Sequence, residues 1–111
     1  MTLDPSDVSI LDRRVRPLIT AELIAEHRAD PFGGHGPALT EVLHFLRRNP
    51  DPQRPRYLLI RTGEPWHWQI AVRGPRPDSP VLPVDGVRYP DRAAAEHAVF
   101  LQRLNDYGLT I

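Results

Sequence analysis

The chain has no cysteine, which excludes disulfides, thiolate metal sites and thiol catalysis. It has no lysine either: all 14 of its basic residues are arginine, which rules out Schiff-base chemistry and a phosphate-loop lysine. The simplest source of that bias is GC-rich coding. Acidic residues also number 14, so the formal net charge is zero and no general field draws the chain to nucleic acid or anionic membrane. No apolar run reaches membrane-spanning length, and the early Asp4, Asp7 and Asp12 are unlike a signal peptide. A cytoplasmic protein without a membrane partner is expected. Serine is scarce, and Ser6, Ser9 and Ser79 lack the flanking glycines of a nucleophile elbow.

What is abundant is proline, with 13 residues clustered at 50–55 and 75–83, where loops or extended connections are expected. At 111 residues the length suits a single domain, 1–111, with residues 1–16 poorly ordered or extended and the core over 17–111. Thr20 suits an N-cap, Ile19 and Ile24 stand in the hydrophobic-staple relation, and Ala21–Ala29 propagates as a helix that Pro31 stops. A second helix starts at Pro37 and runs to about Arg48, placing Leu39, Val42, Leu43 and Leu46 on one face with Phe45 beside them. Asn49-Pro50 ends it.

Residues 56–62 and 66–73 read as a hairpin across Gly63-Glu64-Pro65. Trp66, Trp68, Ile70 and Val72 share one face, and His67, Gln69, Ala71 and Arg73 the other. A third strand is expected at 81–84, as an edge because of Pro83, or at 87–89. Asp91 caps a last helix from Arg92 to Tyr107 that Gly108 terminates. Its apolar face is read as Ala94, Ala98, Leu101 and Leu104, flanked by Ala93, Phe100 and Tyr107, and laid on the tryptophan side of the sheet. The fold class is therefore α+β: two N-terminal helices, a small antiparallel sheet and a C-terminal helix packed on it.

Five histidines raise the question of a metal, but none are spaced as a helical ligand pair, and no cofactor is expected. His44 falls on a polar helix face, and His97, between Ala94 and Leu101, reads as a core or interface histidine. The run His27 to Pro37 is either a corner or a recognition surface, with Phe32 expected to plug it onto the core. Trp66 and Trp68 suit the core, yet Trp66 beside the turn also suits a partner anchor, with Arg61 and Arg73 near it. The candidate partner-binding residues are Phe32, His35, Arg61, Trp66 and Arg73; no catalytic residue is assigned.

Ala29-Asp30-Pro31-Phe32-Gly33, a proline-started helix ending in Arg47 and Arg48, Arg56-Tyr57, the tryptophan hairpin with Ile70-Ala71, and Ala95-Glu96-His97-Ala98-Val99-Phe100-Leu101-Gln102-Arg103 follow in that order. This series resembles the small (alpha) subunit of N,N-dimethylformamidase over about residues 26 to 107. The resemblance implies an accessory role, because in that family a separate large subunit carries the amide-hydrolysing iron site and the small one packs against it. A non-catalytic subunit docking on a larger amidohydrolase-like chain is the leading expectation, and association with a second copy stays open. A nucleic-acid module is the alternative, with Arg56, Arg61, Arg73 and Arg88 along one sheet face. A third reading is a stand-alone ligand-binding protein or small enzyme using His35 or His67.

Overall fold

The computed structural model describes residues 4–48, 50–51, 55–63, 66–74, 76 and 78–110. The expected stop at Asn49, the turn residues Glu64 and Pro65, and parts of both proline-rich stretches lie outside them.

The first difference from expectation is at the N-terminus, which is helical rather than extended. Asp4 caps α1, Pro5–Ile10, by accepting from the Asp7 amide at 3.0 Å. The backbone then widens into a π-type turn, Leu11–Val15, and tightens into a 3-10 turn, Arg16–Leu18. Leu11 and Val15 are buried in the main core. Charged neighbours and Pro17 mask this pattern in the sequence; ion pairs of Arg14 with Glu41 (2.7 Å) and Arg48 with Asp7 (2.8 Å) absorb those charges.

The next two helices follow their local chemistry. Thr20 caps α2, Ala21–Ala29, by accepting from the Leu23 amide at 3.1 Å. Only Leu23 and His27, four residues apart, are buried on it. Helix α3, Pro37–Arg48, buries all five apolar residues expected of its inner face.

Strands β1, Tyr57–Thr62, and β2, His67–Arg73, form the antiparallel hairpin, with Arg61 opposite Trp68 and Leu59 opposite Ile70. Both expected third-strand segments are used. Val81–Pro83 is β3 on the outer edge of β2, and Tyr89 exchanges two backbone hydrogen bonds with Trp68 at 2.9 and 2.8 Å. On the solvent side, the Thr62 hydroxyl donates to Gln69 at 2.8 Å.

Helix α4, Arg92–Asp106, is capped by Asp91, whose carboxylate accepts from the Ala94 amide at 2.8 Å. Its C-terminus is a Schellman cap: the Leu109 amide reaches the Leu104 carbonyl at 2.8 Å and the Gly108 amide the Asn105 carbonyl at 3.0 Å. Gly108 takes a φ of 67°, which glycine adopts at little cost. Arg16 then donates to the Gly108 carbonyl at 2.7 Å, tying the two ends of the chain together.

The burial of α4 corrects the expected face. Ala95 and Val99 are buried, as are the sheet residues Ile70 and Ala71, while His97, Phe100 and Leu104 turn to the helices. Ala94 and Ala98 are only half-buried and Leu101 is 40% exposed. The cause is the position of α4 between two layers. A helix packed on one side needs one apolar stripe; α4 buries two and leaves the Ala94–Ala98–Leu101 stripe open.

Candidate functional site

Three separate segments converge on one exposed strip. Arg61 leaves β1 on the α4 side of the sheet, opposite Trp68. Its guanidinium lies over both tryptophan rings, 4.9 Å from the centre of Trp66 and 5.6 Å from that of Trp68. Arg92, the first residue of α4, lies 6.0 Å from Trp68 and 5.1 Å from Phe32. The result is a ladder in the order Trp66, Arg61, Trp68, Arg92, Phe32. Each rung is an attraction between a cation and a ring face, worth about 0.5–1 kcal/mol when exposed. Among the described residues neither guanidinium is paired with a carboxylate.

Trp66 is 59% exposed and Phe32 is 54% exposed, so the two ends of the ladder face solvent. For Phe32 this overturns the expected inward plug. Pro31 is buried instead, and the Asp30 carboxylate accepts from the Phe32 amide at 3.2 Å, a local turn that throws the ring outward. A Cβ at Gly33 would sit 2.1 Å from an Asp30 carboxylate oxygen, so a side chain there would push the Asp30 carboxylate off the Phe32 amide. For Trp66 the exposed reading holds, while Trp68 is half-buried at the mouth of the sheet–α4 interface.

The other two candidates lie elsewhere. Arg73 is exposed at the far end of β2, about 20 Å along the strand from the turn. It also projects from the opposite face to Arg61, so the arginines of the nucleic-acid reading do not share one face. His35 is half-buried, its Nε2 bonded to the Asp30 carbonyl at 2.9 Å, and it stacks on His27 with ring centres 5.9 Å apart. It braces the loop rather than joining the ladder.

Arg92 and Trp68 were not singled out from sequence as partner contacts. Arg92 did carry a signal: a cation in the first turn of a helix opposes the macrodipole, so it needs a compensating contact. Its two rings supply one.

A second constellation is buried. The Nδ1 atoms of His27 and His97 are 2.8 Å apart, and the His27 ring stacks on Phe100 with centres 4.0 Å apart. Burial, then the neighbouring His97, His35 and Arg47, pushes His27 down from 6.5 to about 4. Burial and then Arg28 also hold His97 below its ordinary value. Both rings are therefore neutral near neutral pH, sharing one proton between the facing nitrogens. His97 is thus a core histidine, as expected; His27, read from sequence only as flanking the loop, is one too. Among the described residues no group of three or more metal-ligating side chains is gathered.

A model of the N,N-dimethylformamidase alpha subunit matches residues 7–111. The chain belongs to that family. Its members are by description one subunit of a multi-subunit enzyme, and the match includes every residue of the ladder and of the histidine pair. Among curated proteins none matches this chain. Among the described residues no helix is long and apolar enough to cross a membrane.

Proposed function

We propose that this chain is a non-catalytic small subunit that docks on a larger, amidohydrolase-like chain through the aromatic–arginine ladder. The observation that carries the reading is the exposed order Trp66–Arg61–Trp68–Arg92–Phe32. Tryptophan and arginine are enriched at interface hot spots, where each buries a large contact area and offers a polar handle. Here the rings and guanidiniums already hold one another, so ordering them on binding costs little. Two cations with no carboxylate partner among the described residues favour a docking surface that presents Asp or Glu between apolar side chains. Membership of an enzyme-subunit family supports the existence of such a partner, and the family resemblance points to amide hydrolysis on that partner.

The test is co-expression with an amidohydrolase-like large chain encoded beside this one. The expected outcome is a stable complex that hydrolyses formamides, and no hydrolysis by the small chain purified alone. Clear turnover by the isolated chain would overturn the reading.

A further inference from the structure

The outer face of α4 opens onto a groove of about 620 Å³, within the range of small-molecule sites. Its floor is the stripe Ala94, Ala98 and Leu101, and His97, Arg28 and Asp91 also line it. His97 is 9% exposed and gives its Nδ1 to His27, while its Nε2 is buried with no hydrogen-bond partner among the described residues. A buried imidazole nitrogen left without a partner costs about 1–3 kcal/mol, so such an atom in the wall of a groove calls for explanation.

We propose that this groove binds a small monocarboxylate with an aliphatic or aryl body, its carboxylate held by His97 Nε2–H and Arg28. Either ring of the pair can carry the shared proton, and binding requires the tautomer in which His27 Nδ1–H donates to His97 Nδ1. Neutral His97 then carries its own proton on Nε2 and has a donor to offer the ligand. Arg28 lies close enough to disfavour a second proton on His97, and among the described residues it forms no ion pair. An acceptor bearing one negative charge satisfies both groups. The Asp91 carboxylate, committed to the Ala94 amide, stands on the same rim and disfavours a dianion such as phosphate. The alanine and leucine floor requires the remainder of the ligand to be apolar. Nε2 is buried, so binding requires a side chain at the groove to move aside for the ligand, and Leu101, four residues after His97 and 40% exposed, is placed to do so.

The probe is hydrocinnamate, titrated into the full chain labelled with nitrogen-15, with hydrocinnamamide as the neutral control. Saturable shifts of the His97 Nε2 resonance and of the Ala94, Ala98 and Leu101 amides are expected with the acid. The amide should bind at least about 10-fold more weakly. Arg28 is exposed, so Arg28→Gln keeps the fold, and it should weaken the acid at least about 10-fold. Ala98→Leu fills the floor and should abolish the shifts. No saturable shift with the acid, equal binding of the amide, or unchanged affinity in Arg28→Gln each overturns the proposal. None of these outcomes depends on a partner chain, so they are read independently of the docking reading.

Discussion

Acid should destabilise this fold through the buried histidine pair, and the size of the effect follows from the structure. His27 is 2% exposed and titrates at about 4 when folded, against 6.5 when free. The unfolded chain therefore binds this proton more readily, and stability falls as pH drops through 6.5, levelling near 4. At about 1.4 kcal/mol per pKa unit, the full loss from His27 is about 3 kcal/mol, of which about 2 kcal/mol appears between about pH 7 and pH 5. His97, also held below its ordinary value, adds to the loss with the same sign. The assay is urea unfolding at both pH values for the wild type and for His27→Gln, which removes the titrating ring and keeps a hydrogen-bonding group beside His97. The wild type should lose about 2 kcal/mol more than the variant over this interval. Equal losses would refute the claim that the pair is buried and neutral.

Other expectations concern single contacts. Asp91→Ala removes the cap on α4 and should cost about 1 kcal/mol in urea unfolding, with the fold intact by circular dichroism. Leu104→Ala should cost about 2–5 kcal/mol, because Leu104 is fully enclosed, whereas Leu101→Ser should change stability by less than about 1 kcal/mol. Gly33→Ala should destabilise the α2–α3 loop, seen as faster amide exchange from Asp30 to Gly36, since its Cβ would strike the Asp30 carboxylate.

The contrast between Leu101 and Leu104 shows where the sequence was readable. Caps and periodicity placed α2, α3 and α4 to within a residue or two, because Thr20, Pro37, Asp91 and Gly108 act through their own backbone neighbours. The buried face of α4 was readable only in part: Phe100, Leu104 and Tyr107 are buried as expected, whereas Ala94, Ala98 and Leu101 are not. Its alanines and leucines satisfy several stripes, and only the tertiary arrangement of a sheet on one side and helices on another selects Ala95–Val99 and His97–Phe100–Leu104. The N-terminal helical segment was hidden because Leu11 and Val15 sit among charges such as Asp7 and Arg14, whose partners Arg48 and Glu41 are distant in sequence. Phe32, Arg61 and Trp66 stood out by residue type as candidate contacts. That they form one strip depends on Arg92 and Trp68 standing between them, a juxtaposition of three segments that no local pattern encodes.

The most direct test of the proposed docking surface is the affinity of this chain for the large chain proposed as its partner, measured for the wild type, Trp66→Ala, Phe32→Ser and the distant Arg73→Ala. Trp66 and Phe32 are exposed, so their substitution leaves the fold intact. If the ladder is the interface, Trp66→Ala weakens binding by at least about 30-fold, the factor that corresponds to a hot spot of 2 kcal/mol. Phe32→Ser should weaken it by about 10-fold, and Arg73→Ala should change it by less than about two-fold. Wild-type affinity in Trp66→Ala and Phe32→Ser, or a large loss confined to Arg73→Ala, would contradict the account.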